Sequence, residues 1–583
     1  MSSSTSARNS DHEPDDEEQD LGLGLSLSPT TSTSVPGPAA RRTLQPKRAL
    51  RLYPELKLGL GSSPSSPDLQ RPVDLLRRSP LSPLLSPIHS RSRTLPGSYF
   101  KSIDYSLEPA PLTAEEVVKI QRWILCVAVV NFDLDVGPML HHVYPPVEFS
   151  EKQRENIAFS AFPDSASFTT GSDSHSFRIR DPPSASHNHP PSIDGYLYGF
   201  ALFMQKRDPQ MRRGYLQKSI VFLSHHPHVS LFLETASKLG PAYFKHGSPL
   251  LETACRNIAG WPDPKPGVTL ELGFLGLVLK TELPAFGEEQ QSVETASFTD
   301  VFKPHTHILA SIPPSPPVEV FSAAIASLWS IWECVILGEP ILIYASNARI
   351  CSDAVWWLRD LIRPIPLAGD FRPFFTIHDT DFRTLVTKKH PAAGLILGVT
   401  NPFFETACKH WPHILSLTKD GRNGNGHNDM PTQGTLLGPS PGWHSKHKRY
   451  ISKDRALLKT LEDGIRARNY DECSRLLRIH FLQQTEKLLV PLNRYFGSLI
   501  PTDAYVISFQ SASSTPLTLK PFNTPHFMAS LKTHGSPLKF RVQGGGQRDF
   551  YEHFLRCSNF GSWLRTRADL AQREMDKMTA ART

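Results

Sequence analysis

The sequence predicts a mixed α/β protein built in two folded blocks, an antiparallel sheet lobe covered by helices and then a parallel α/β module that runs into a helical end. Three observations carry this expectation. Apolar and β-branched runs follow the order β-β-α-β-β-β-α-α between residues 123 and 259, which gives a largely antiparallel sheet with helical cover. Strand and helix patterns alternate between 341 and 417, and alternation implies parallel β-α-β units buried on both faces. From 453 to 490 the apolar residues recur at helical spacing.

The first block opens near Thr113. Residues 123–132 (WILCVAVVNF) are continuous, β-branched and aromatic, as a buried strand should be. Asp133 to Gly137 reads as a turn, and 139–144 (MLHHVY) as the returning strand. Ser150 and Gln153 have capping-box spacing, so a helix is expected from there to about Phe162. A Ser, His, Asp and Pro-rich loop covers 164–194, with strands at 176–180, 195–207 and 217–224. Helices are expected at about 228–240 and 248–259, then extended apolar sequence at 268–283.

Prolines mark 284–317 as a linker. A helix over 318–337 follows, with Gly338 in the stop position and Pro340 just beyond. Strands are expected at 341–345, 372–377, 394–400 and 413–417, with helices at 353–362 and 379–387 between them. Asn401 should cap the next helix, with Pro402 in its first turn. Residues 419–449 form an inserted low-complexity loop. The helical end at 450–583 should break near Gly464, stop at Pro491, lose pattern over 501–546 and close with a helix pair at about 547–580.

Residues 1–112 have the composition of a disordered tail: an acidic run from Asp11 to Asp20, then Ser/Pro-rich sequence with few aromatics. Ser79, Ser82 and Ser86 each precede a proline and are phosphorylation candidates. Arg91 to Pro96 (RSRTLP) is similar to a motif that 14-3-3-type proteins read once Thr94 is phosphorylated.

Composition excludes several classes. The formal charge of +7 over 583 residues is too mild to argue for nucleic acid. Basic residues gather at Lys446, Lys448 and Arg449, a place where an anionic membrane surface could touch, or simply a solvated loop. The seven cysteines are widely spaced with no CxxC pair, so no zinc framework or disulfide scaffold is expected. The longest apolar run, Trp123 to Phe132, is about half the length a spanning helix needs. The chain is expected to be cytoplasmic, with peripheral membrane contact through a partner.

No motif demands covalent chemistry. Gly438-Pro439-Ser440-Pro441-Gly442 matches GxSxG, yet prolines flank the serine where a nucleophile elbow needs a strand and a helix. No P-loop and no GxGxxG after a strand occurs, so no cofactor is expected. His225, His226 and His228 surround Pro227 and read as a turn rather than a metal site. Asp379 and Asp381 read as helix caps rather than an acid and a base. Trp329, Trp332, Trp356 and Trp357 read as core, except that 356 and 357 are adjacent, so that one of them should face a partner.

Several of these stretches resemble DENN-domain proteins. WILCVAVVNFDLDVGPML (123–140), RRGYLQKSIVFLS (212–224) and WPDPKPGVTLEL (261–272) are similar to the family's upstream module. LWSIWECVILGEPILIYA (328–345), DFRPFFTIHDTDF (370–382) and GLILGVTNPFFETACKHWPHIL (394–415) resemble its central module, and FYEHFLRCSNFGSWLRTR (550–567) its C-terminal end. The subfamily resembled is DENN-domain family member six, associated with recycling endosomes. The resemblance implies a longin-like upstream lobe over 113–283, a Rossmann-like central module over 318–418 and a helical downstream module. It also implies a function, exchange of GDP for GTP on a Rab-type small GTPase seated between the lobes in endosomal or vesicle traffic. An adaptor that binds such a GTPase without exchange needs the same groove. Candidate groove residues are the expected exposed strand ends: Asp370, Arg372, His378, Asp379, Asn401 and Phe403.

Overall fold

The computed structural model describes residues 111–163, 171–183, 189–209, 214–285, 307–418, 439–501, 519–542 and 545–582. Ser79, Ser82, Ser86 and Thr94 lie outside them, as does the expected tail up to residue 110. The described residues belong to one compact unit, Ser102–Thr583.

The first lobe is a five-stranded antiparallel sheet. Its strands are β1 (Cys126–Asp133), β2 (Gly137–Tyr144), β3 (Gly171–Arg180), β4 (Tyr196–Arg207) and β5 (Tyr215–Ser224), in the order β2-β1-β5-β4-β3. The apolar run 126–130 is central because it is buried on both faces, as its unbroken hydrophobicity requires. Helix α1 (Ala114–Gln121) precedes the sheet. Helix α2 (Glu151–Ser160) starts at the capping box read from sequence: Gln153 N donates to Ser150 Oγ and Ser150 N to Gln153 Oε1.

Helices α3 (Val229–His246) and α4 (Pro249–Ala259) lie together, with α3 packed on β4 and β5. The expected end of α3 at residue 240 is corrected: the helix runs on through Pro241. A hairpin of β6 (Thr269–Phe274) and β7 (Leu277–Glu282) follows. Its two-residue turn places Leu275 and Gly276 at positive φ, the backbone that a tight hairpin of this kind needs. Strand β8 (His307–Leu309) pairs parallel to β7, inside the stretch whose prolines read as a linker. Three residues are too few to show a period.

The second lobe is a sheet in the order β10-β11-β9-β12-β13. Strands β9 (Ile341–Ala345), β10 (Phe371–Arg372), β11 (Ile396–Val399) and β12 (His413–Leu417) run parallel, and β13 (Gly442–Ser445) pairs antiparallel at the edge. The expected helix over 318–337 is three pieces: α5 (Pro317–Val320), a 3₁₀ turn at Ser322–Ser327, and α6 (Leu328–Ile336). Ala324 inside that turn has non-helical angles. Gly338 ends α6 as read: at φ +68° it donates to Val335 O while Glu339 N donates to Cys334 O, the paired bonds of a Schellman motif.

Helix α7 (Ala348–Leu361) crosses from β9 to β10 and is covered on both sides. Both adjacent tryptophans are therefore buried, which corrects the expectation that one faces a partner. Trp356 points to the first lobe, donating to Ser176 Oγ at 2.7 Å, and Trp357 donates to Ser315 O at 2.7 Å. Short helices α8 (Phe382–Leu385) and α9 (Phe403–Ala407) complete the module.

Helices α10 (Arg455–Arg466), α11 (Tyr470–Gly497), α12 (Thr524–His534), α13 (Gly545–Arg556) and α14 (Ser558–Arg582) form the helical end. The expected stop at Pro491 is corrected, since α11 continues to Gly497. Its anchor on α7 is a buried pair in which Arg478 Nε and Nη2 donate to the two oxygens of Asp360 at 2.8 and 2.9 Å. Buried Glu333 of α6 accepts from the backbone N–H groups of Tyr450 and Ile451 and so fixes the chain entering α10.

Candidate functional site

Four of the candidate groove residues, Asp370, Arg372, His378 and Asp379, gather at one joint, where β3 and α2 of the first lobe meet the segment 370–382 of the second. Arg372 sits at its centre with 0% exposure. Its Nε donates to Asp370 Oδ1 at 2.8 Å and its Nη2 to Asp381 Oδ2 at 2.7 Å. Its Nη1 reaches the carbonyl of Arg178 on β3 at 3.3 Å. Arg180, also on β3, donates to Asp381 Oδ2 at 2.8 Å. Arg178 returns the contact by donating to Phe371 O, while its guanidinium lies 3.4 Å above the Tyr196 ring.

Burial opposes the charge on Arg372, but Asp370, Asp379 and Asp381 outweigh it and its pKa rises. Burial likewise opposes the Asp370 carboxylate, yet Arg372 holds its pKa below the usual value. Asp379 is the exception. Its oxygen is 3.9 Å from Arg372 Nη1, too far to offset burial, and its pKa is pushed up to about 6.

Three further contacts fasten the joint. Asn156 of α2 donates to Thr380 Oγ1 at 3.0 Å and accepts from Thr380 N at 2.9 Å. Phe159 stacks on His378 with centroids 4.3 Å apart. His175 of β3 meets Phe374 edge to face.

The placement of Arg372 and Asp379 as exposed groove residues is therefore corrected: both are buried structural charges. Asp370 is partly covered, and His378 is exposed above the joint. Asn401 and Phe403 lie beyond the end of β11, with Phe403 51% exposed and against Phe382 and Phe404. Asn401 Oδ1 accepts from Phe403 N at 3.0 Å, but Pro402, not Asn401, occupies the cap position of α9. Asp381 occupies the cap of α8, yet its side chain goes to the arginines instead of capping.

Beside the joint lies a cleft of about 860 Å³ shared by three parts of the chain. Arg178, Tyr196 and Tyr198 line it from the first sheet, residues 366–371 from the second lobe, and Ser558 to Arg565 from α14. Sequence reading missed this wall of α14, which lies nearly 200 residues from Asp370 in the chain.

The other motifs resolve simply. Ser440 leads directly into strand β13, where a nucleophile elbow needs a helix. The three clustered histidines bond different partners, His225 to Asp181, His226 to the Arg122 carbonyl and His228 to Ser311, while the His226 and His228 rings stack 5.3 Å apart. Among the described residues no helix is long and apolar enough to cross a membrane.

No protein-family model matches this sequence. Curated relatives match over most of their length. Human "Protein DENND6B" is 33% identical over 474 residues, covering 77% of this chain and 80% of the relative. Chicken "Protein DENND6A" is 32% identical over 484 residues, covering 78% and 80%. "Protein DENND6 homolog" of Dictyostelium discoideum is 31% identical over 531 residues, covering 79% and 72%. With a fold of two α/β lobes and a helical end, these matches define a DENN-domain protein. Within that class the chain belongs to the DENND6 family.

Proposed function

We propose that this protein is a guanine nucleotide exchange factor for a Rab-type GTPase, seating the GTPase's switch segments against the two lobes. What carries the reading is its membership of the DENND6 family, since DENN-domain proteins in general act on Rab GTPases. The lobe joint supports it. A Rab holds its nucleotide with Mg²⁺, a P-loop and two switch segments. A partner that binds the displaced switch conformation better shifts the equilibrium toward release, without any proton transfer. Such a partner must itself resist deformation, and the Arg372 cluster and the Trp356–Ser176 bond give the frame that stiffness. His378, Asn401 and Phe403 are the proposed contacts on the exposed side, and Asp370 faces the cleft.

The domain limits follow the same reading: an upstream module over 113–283, a central one over 318–418 and a downstream one over 450–583. The protein acts at endosomal or vesicle membranes and reaches them through its partner.

The test is the nucleotide dependence of binding. Each Rab of a panel is presented nucleotide-free, GDP-bound or GTP-bound to the full chain. Exchange requires the nucleotide-free form to bind far more tightly than the GDP form. Equal binding of all three forms would mark an adaptor and contradict exchange.

A further inference from the structure

We propose a transition-metal site, suited to Zn²⁺, formed by Asp181, His189 and His225 at the rim of the interlobe cleft. One oxygen or nitrogen from each of the three lies within 4.8 Å of the others. His225 Nε2 is already 2.8 Å from Asp181 Oδ2. The His189 and His225 ring centroids are 5.8 Å apart. Asp181 is 2% exposed and His189 9%, and the His225 side chain 15%. Two imidazoles and a carboxylate form the donor set of many zinc centres, with the fourth position left to solvent. Ca²⁺ and Mg²⁺ prefer all-oxygen shells and fit this set poorly.

The surroundings orient the donors. His189 Nδ1 bonds the Pro190 carbonyl at 3.0 Å. A carbonyl can only accept, so Nδ1 carries the proton and Nε2 is the ring nitrogen of the tautomer that can ligate a cation. Gln153 Nε2 donates to Asp181 Oδ1 at 2.9 Å, leaving Oδ2 toward the histidines. These are the outer contacts that metal-binding histidines and carboxylates commonly have. Asp181 N also donates to Gly195 O at 2.8 Å, which fixes the backbone of the chain leaving β3.

The three residues come from different places. Asp181 follows β3, His189 lies in the segment between β3 and β4, and His225 follows β5. A bound ion would tie His189, in the chain leading into β4, to the end of β5, where His225 lines the cleft. Without an ion, His225 and Asp181 make a hydrogen bond, and an ion would bring a His189 donor onto the same atoms.

The full chain, stripped with a chelator, is titrated with Zn²⁺ against a chromophoric competitor. About one Zn²⁺ per chain is expected at the tightest step. His189→Ala removes a donor without touching the Asp181–His225 bond, and is expected to weaken that step by more than about tenfold. Asp181→Asn tests the carboxylate, and His534→Ala, on an exposed end of α12, serves as the control and keeps the step. Co²⁺ substitution reports the geometry, since a tetrahedral site gives intense visible bands that His189→Ala should abolish. Far-UV circular dichroism verifies that each variant is folded. Lack of a tight step in the wild-type chain, or an unchanged step in folded His189→Ala, would overturn the site.

Discussion

Trp356 Nε1 on α7 of the second lobe donates a 2.7 Å hydrogen bond to Ser176 Oγ on β3 of the first, and the tryptophan is 2% exposed. Its ring packs against Tyr198 of the first lobe and Phe371 of the second, so one residue closes the joint from within. Ser176→Ala leaves a buried indole N–H without its acceptor. The expected loss is about 1–3 kcal/mol of unfolding free energy. Denaturant melts of the variant beside Trp356→Phe and the double variant measure it, and a joint built this way requires non-additive losses.

Arg372 is the buried charge that bonds both Asp370 and Asp381. Arg372→Met keeps most of the volume but leaves Asp370 and Asp381 to the half-exposed Arg180 and takes the nearest cation from buried Asp379. Removing one partner of a buried pair costs about 3–5 kcal/mol, because the remaining charge is uncompensated. The thermal midpoint should fall steeply, and unchanged stability would mean the cluster is solvated.

Asp379 should respond in the opposite sense. Its carboxyl is pushed from 3.8 up to about 6 by burial. The folded chain thus holds this proton more tightly than the unfolded chain. The stability it contributes is present below about pH 4 and is lost as pH rises to about 6. Asp379→Asn is neutral throughout and keeps an oxygen for the Asp381 N–H. The variant should match wild type near pH 4 and exceed it at pH 7.5 by about 2 kcal/mol. Melts across that range give the difference directly.

Gly398 on β11 faces the chain after β10. A Cβ there would lie 2.3 Å from Pro373 O and 2.8 Å from Cys351 Sγ. Backbone cannot retreat cheaply, so Gly398→Ala should cost about 1–3 kcal/mol. Hydrogen exchange should show the loosening at 371–377 first.

Phe403 separates folding from function. Half of it is in solvent, so Phe403→Ala should change stability by about 1 kcal/mol or less. As a proposed aromatic anchor it should weaken GTPase binding by about 2 kcal/mol. Full binding by the variant would remove Phe403 from the interface.

The layers of this fold were legible because its strands are long or unbroken in character. The capping box at Ser150 and the stop at Gly338 were legible because each is a local signal of a few residues. What escaped was distance in sequence. Arg372 read as a strand-end charge in solvent because the Arg178 carbonyl that covers it, and the Arg180 that shares Asp370 and Asp381 with it, lie about 190 residues upstream in the chain. One of Trp356 and Trp357 read as facing a partner because a second buried face of α7, under Ser315, leaves no period. His225 read as one of a trio because its neighbours in space, Asp181 and His189, are over 30 residues away.

The most direct measurement is the rate at which labelled GDP leaves each Rab of a panel, with and without the full chain. Accelerated release from one or a few Rabs, reduced in Phe403→Ala while its fold is intact, is the predicted result. Tight Rab binding with an unchanged release rate across the panel would contradict it.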